Sequence, residues 1–129
     1  MPESFTPFNY EIESYDFHTY IPLAEPAKAL EFRQALLTEF KDELETGAIR
    51  AYEPWLKAIG PHADGWGMFE LDCRDSVKFL KLLNYYQLNH NELSVLIHPR
   101  TQRGDVWDHT IGAFWLGEKL PLKLDKLAD

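Results

Sequence analysis

Glu92-Leu93-Ser94-Val95-Leu96-Ile97-His98-Pro99-Arg100-Thr101 joins an apolar, β-branched run to a histidine, a proline and a polar turn. Its length and its flanks, Asn89-His90-Asn91 before and Pro99-Arg100-Thr101 after, predict a core strand. Pro99 has no amide hydrogen to give a ladder, so the strand is expected to stop at His98. A side chain at the end of a buried strand is rigidly held yet reachable from solvent. His98 is therefore the first candidate for chemistry, and the rest of the chain is read for its partners.

Downstream, a polar loop is expected to run to His109, then Ile111 to Leu116 as a last strand closed by Gly117, then a leucine-bearing tail over 118–129. Upstream, Asp75 or Ser76 caps a predicted helix with Phe79, Leu80, Leu82, Leu83 and Tyr86 on one side and Lys78, Lys81, Asn84 and Tyr85 on the other. Before it, Trp66 to Cys73 alternates cleanly. Phe69, Leu71 and Cys73 share one face, Met68, Glu70 and Asp72 the other. A turn at 59–65 precedes it, and Ala48 to about Lys57 reads as a weaker edge strand interrupted by Pro54. Gly47 suits the C-terminal cap of a helix running from Pro26 to about Leu44, with Ala29, Phe32, Leu36 and Phe40 at helical steps. Tyr15 to Ile21 is the first strand, with Phe17, Thr19 and Ile21 on one face and Asp16, His18 and Tyr20 on the other. Residues 1–14 show no period and are expected to drape over the body as an arm.

The order strand, helix, strand, strand, helix, strand, plus one more strand, predicts an α+β fold. Specifically, it fits a ferredoxin-like sandwich, βαββαβ with an extra C-terminal strand, whose antiparallel sheet carries two helices on one face. One domain spans 1–129. The other sheet face, bearing His18, Tyr20 and Glu70, needs cover from the tail, a partner subunit or both, and a homodimer is the expected state.

Composition narrows the function. With 45% hydrophobic residues the chain can build a core unaided, and its single cysteine, Cys73, excludes an internal disulfide or a CxxC zinc knuckle. The net charge of -8, from 21 acids against 13 bases, argues against nucleic acid. Neither a signal peptide nor an apolar run of membrane length is evident, so a soluble cytoplasmic protein with no membrane partner is expected.

No HExxH, P-loop, GxSxG or GxGxxG stretch links the histidines His18, His62, His90, His98 and His109, so any site must be assembled by the fold. Parity decides which side chains converge. If Val95 and Ile97 face the helices, His98 shares the open face with His18 and Glu70, an arrangement of the 2-His-1-carboxylate kind that holds Fe(II) and leaves positions open. His62 is a rival ligand. Plainer readings stand beside these: His18 as a hydrogen-bonded core histidine, Glu70 paired with Arg50, His62 shaping a turn, His90 as a connector, and Asp108-His109-Thr110 as a loop hydrogen-bond cluster. A small-aromatic-binding, noncatalytic ferredoxin-like dimer and a metal-dependent hydrolase also remain open.

The elements Asp16-Phe17-His18-Thr19-Tyr20, Gly60-Pro61-His62, Met68-Phe69-Glu70, Leu93 to Thr101, Asp108-His109-Thr110 and Ala113-Phe114-Trp115-Leu116-Gly117 resemble the DOPA 4,5-dioxygenase family, in that family's order and spacing. Ala63 stands where the family often has a second proline. The resemblance implies extradiol cleavage of a catechol such as L-DOPA by non-haem Fe(II) and O2, with zinc or another divalent metal able to take the same ligands. It points to His18 and His98 as ligands with the third from Glu70 or His62, and to His109 as the acid/base group. Tyr20, Trp66 and Trp115 are candidates to stack on the substrate ring, and Arg100 or Arg103 to meet a substrate carboxylate.

Overall fold

The computed structural model describes residues 5–127. Its strands are β1 (Ser14–Pro22), β2 (Ile49–Ala51), β3 (Trp66–Cys73), β4 (Val95–Arg100) and β5 (Phe114–Leu116). Its helices are α1 (Ala27–Glu39), α2 (Lys41–Thr46), α3 (Ser76–Asn89) and α4 (Asp105–His109), with a short 3-10 turn at Leu124–Lys126. The strands form one antiparallel sheet in the order β2-β3-β1-β4-β5, which is the expected ferredoxin-like sandwich with β5 added beside β4.

β1 is the middle strand, and the alternation of its side chains makes two cores. On one face Phe17 and Ile21 meet Phe69, Leu71, Val95 and Ile97 from the neighbouring strands and Phe32, Leu36, Leu82 and Tyr86 from α1 and α3. Each such side chain, taken fully out of water, contributes about 1.5–3 kcal/mol, so this face holds the sheet and helices together. On the other face Tyr20, Met68, Leu96 and Leu120 form a smaller cluster, with Ile59, Trp66, Trp115 and Leu122 packed around it. The open face is thus covered over its apolar half by the tail and by the 52–65 segment. Lys123 reinforces that cover, its amide donating to the Pro61 carbonyl (2.6 Å) and its ammonium to Asp64 (2.7 Å).

Several elements differ from the reading of the sequence. β4 does not stop at His98: Pro99 lies opposite Tyr15 and Arg100 opposite Ser14. The Tyr20 amide donates to the Ser94 carbonyl, so the ladder bonds fall on alternate pairs and Pro99 turns its nitrogen away from β1. Since β5 pairs with β4 only as far as Ile97, that nitrogen meets no strand. The first helix breaks at Phe40, whose φ of -106° and ψ of 28° end α1 and start α2; Phe40 fits the apolar period, so nothing in the pattern marked it. Gly47 does cap α2, at φ 83°. β2 and β5 keep only three residues each, and the presumed loop before His109 contains α4. On α3, Leu80 is 59% exposed while Tyr85 packs on the main core, the reverse of their predicted sides.

The segment after β2 returns to the sheet at one point. Trp55 and Met68 exchange backbone hydrogen bonds of 2.8 and 2.9 Å beside Gly67, where a Cβ would collide with the Trp55 carbonyl oxygen. Glycine is required there for the close approach that builds one wall of the site. Residues 1–4 of the expected arm and 128–129 of the tail lie outside the described residues. What is described of the arm does drape: the Thr6 carbonyl accepts from the Ser76 amide (2.9 Å), and Phe8 packs edge-on against Tyr15 and Phe79.

Candidate metal centre

Antiparallel register brings three strands' polar side chains to one end of the open face. Asp16 lies directly opposite His98 on β4, and His18 opposite Glu70 on β3. Two residues along β1 is the diagonal that lets His18 reach across to His98, and their Nε2 atoms are 3.0 Å apart. His109 arrives from α4. The loop between β4 and α4 is drawn tight by buried Asp108, which accepts from the Thr101 amide (3.0 Å) and hydroxyl (2.6 Å), and the His109 ring comes to rest 3.9 Å from that of His98. His18, His98 and His109 each bring one nitrogen within 4.8 Å of the other two, and Asp16, His18 and Glu70 make a second such group sharing His18.

Hydrogen bonds orient the three rings. His98 Nδ1 lies 2.9 Å from the Pro99 carbonyl and His109 Nδ1 2.8 Å from the Asp105 carbonyl. A carbonyl only accepts, so both Nδ1 atoms carry hydrogen and both Nε2 atoms keep a free lone pair. His18 Nδ1 faces the Met68 sulfur (3.3 Å), with a Glu70 oxygen at 3.9 Å, and its Nε2 likewise points inward. Imidazoles held from behind by acceptors, with lone pairs converging in front, are the usual construction of a metal site.

The electrostatics agree. Burial lowers the pKa of all three histidines, that of His18 well below the ordinary imidazole value, with His98, His62 and His109 adding to the effect on it. They are neutral at pH 7, the form that binds metal. Burial also pushes Asp16 up to about 6 and Glu70 up to about 7, each further raised by neighbouring carboxylates. Asp16 is wholly buried; Oδ2 takes a hydrogen bond from Arg100 (3.0 Å), while Oδ1 has no partner among the described residues. Imidazole nitrogens converging at 3.0 Å, carboxylates whose ionised form burial disfavours and an orphaned buried oxygen all mark a place where a cation fits. Nitrogens bonded at roughly 2.1 Å to one ion lie roughly 3 Å apart or slightly more, and the His18–His98 spacing meets that requirement. This group could hold a divalent metal ion.

A cavity of about 260 Å³ opens over the histidines, lined also by Asp16, Glu70, Arg100, Trp55 and Leu127. His62 is on its wall, but its Nδ1 is engaged at 2.6 Å by the Tyr20 hydroxyl rather than turned to the other rings. Of the candidates for substrate contact, Arg100 lines the cavity while paired with Asp16. Tyr20, Trp66 and Trp115 belong to the apolar cluster behind it, where Tyr20 stacks on Trp115. Arg103 lies over Trp107 (4.5 Å). The Glu70–Arg50 pair does not form: register sets Arg50 opposite Asp72, which takes two bonds of 2.9 Å from its guanidinium, leaving Glu70 free for the cavity. His90 binds the Leu93 carbonyl as part of a connector.

Several cavity residues escaped the sequence reading, among them Asp16, Trp55, Ile59 and Leu127. Asp16 was legible in principle, since alternation puts it on His18's face; Trp55 sits in a segment without a period and carried no signal.

The model of the Dopa 4,5-dioxygenase family matches residues 15–126. The chain belongs to the Dopa 4,5-dioxygenase family. A DOPA 4,5-dioxygenase of Amanita muscaria is 33% identical over 125 residues, covering 95% of this chain and 53% of that protein. A 21.2 kDa protein of Botryotinia fuckeliana without assigned function is 31% identical over 117 residues, covering 86% of this chain and 61% of that one. This Dopa 4,5-dioxygenase family chain therefore spans between about half and three fifths of the length of those relatives. A crystal structure of a candidate dioxygenase from Nostoc punctiforme superposes with a TM-score of 0.74 at 28% identity, over 93% of this chain and 95% of that one.

Proposed function

We propose that the chain is a ring-cleaving dioxygenase of the extradiol type that acts on a catechol such as L-DOPA, using O2 and a non-haem Fe(II) held by His18, His98 and His109. The convergence of three neutral, back-bonded imidazoles on one point carries this reading, and the family's other members supply the reaction. This reading takes His109, first considered as the acid/base group, as the third ligand in place of Glu70 or His62.

When bound, the metal supplies a route for electrons between a chelated catechol and O2. The chain supplies the rest. A cavity of about 260 Å³ is a one-ring space, below the roughly 300 Å³ at which drug-sized pockets begin. Trp55, Ile59 and Leu127 offer apolar surface to the ring. Asp16 and Glu70 place carboxylate oxygens at the same wall, acceptors for the protons a catechol must give up. Arg100 stands beside them as the cation for a substrate carboxylate or for Asp16 itself.

Protein reconstituted anaerobically with Fe(II) and then exposed to O2 and L-DOPA is expected to consume one O2 per catechol and to yield a yellow ring-opened product. No oxygen uptake with L-DOPA or simpler catechols would overturn the assignment. His18→Ala, His98→Ala and His109→Ala are each expected to lose bound iron while keeping the far-UV circular dichroism of the parent, and unchanged iron content would remove them as ligands.

A further inference from the structure

His62 and Tyr20 form a unit that the ligand set does not use. Tyr20 is wholly buried among Met68, Leu96, Leu120, Trp66 and Trp115, and His62 is 3% exposed on the cavity wall. Their 2.6 Å contact through His62 Nδ1 is the Tyr20 hydroxyl's sole hydrogen bond among the described residues. Its direction follows from what each choice leaves over. If His62 Nδ1 donated, the phenol's own hydrogen would be stranded in an apolar pocket, the costly outcome for a buried donor. If the phenol donates, its hydrogen is satisfied, Nδ1 is the acceptor, and the imidazole's single hydrogen must sit on Nε2.

This is the opposite tautomer to that of His98 and His109, whose Nδ1 atoms face backbone carbonyls and whose lone pairs face inward. The His62 ring lies 5.0 Å from that of His18, close enough to address the same bound molecule. We infer that His62 is not a metal ligand but a hydrogen-bond donor through Nε2–H to an oxygen of the bound catechol or O2, and that Tyr20 is the positioning residue that fixes this tautomer. The inference rests on the catechol-binding reading of the cavity for the identity of the acceptor; the tautomer itself does not.

Long-range 1H–15N correlation spectra of the full chain carrying 15N-histidine, metal-free and zinc-loaded, distinguish the two tautomers. His62 is expected to show a protonated Nε2 and a bare Nδ1 in both forms, and Tyr20→Phe to lose that fixed pattern. His62→Ala is expected to bind as much zinc as the parent, whereas His98→Ala does not. Anaerobic titration of the zinc-loaded protein with 4-nitrocatechol then reads the donor: about tenfold weaker binding in His62→Ala, the size of one lost hydrogen bond to a charged acceptor. His62→Gln, whose carbonyl can accept from Tyr20 while its amide N–H faces the cavity, is expected to restore most of that affinity. A protonated Nδ1 in the parent, loss of zinc in His62→Ala, or equal 4-nitrocatechol affinity in parent and His62→Ala each overturns the inference. If the parent binds no zinc or Fe(II), the proposed function fails while the metal-free spectra still decide the tautomer.

Discussion

Glu70 faces His18 across β1 and β3, and burial together with Asp16 and Asp72 raises its pKa from 4.5 to about 7. The folded value lies above the unfolded one, so it is the ionised form that the fold penalises. That penalty is complete above pH 7, fades as pH falls toward 4.5 and is absent below. Metal-free Glu70→Gln is therefore expected to be more stable than the parent at pH 8, by on the order of 2 kcal/mol, with the advantage closing at pH 4.5. Urea midpoints at the two pH values check this; a difference independent of pH would show that Glu70 is not held as described. The histidines act in the opposite sense. Their folded pKa values lie below 6.5, so the metal-free fold loses their support as pH falls through that value, when the unfolded chain takes up protons first.

At the scale of elements, α4 is a helix of five residues whose placement depends on its loop. Asp108 holds Thr101 by amide and hydroxyl, and so sets where His109 enters the site. Asp108→Ala is expected to weaken zinc binding at least tenfold, in keeping with the loss of a group that orients a ligand, while leaving the sheet's circular dichroism intact; calorimetric titration with zinc measures it. This element also shows where the sequence was readable. Alternation in β1, β3 and β4 puts His18, Glu70 and His98 on one face provided Val95 and Ile97 face the helices, as they do, because period two is imposed by the strand itself. Residues 101–109 have no period to read: a single helical turn held by one carboxylate depends on contacts that no pattern encodes. The same holds for Trp55, which reaches the cavity because Gly67 admits its backbone. For Pro99 a sound local rule was overridden by topology, since β5 ends before the proline's missing hydrogen is needed.

For the whole molecule, the sheet carries a large core on one face and a small one on the other, and the small one is roofed by the tail. Leu120, 4% exposed, is the tail's anchor. Leu120→Ala is expected to cost about 2 to 3 kcal/mol, the lower part of the range for a buried leucine, and to open the packing around Trp66 and Trp115, so that tryptophan fluorescence reports it along with the denaturant midpoint. A cost below about 0.5 kcal/mol, the range of ordinary surface changes, would show that the tail is not seated there. No helix among the described residues is long and apolar enough to cross a membrane.

His18 and His98 are 80 positions apart along the chain and 3.0 Å apart in space. An ion that binds both nitrogens in the folded chain and not in the unfolded one would stabilise the fold by mass action, bridging positions that far apart. His98 and His109, by contrast, are near neighbours in sequence and can meet early. A bound ion would thus fasten β1 to β4 as a clasp does, and its removal by a chelator is expected to quicken unfolding more than it alters the native shape.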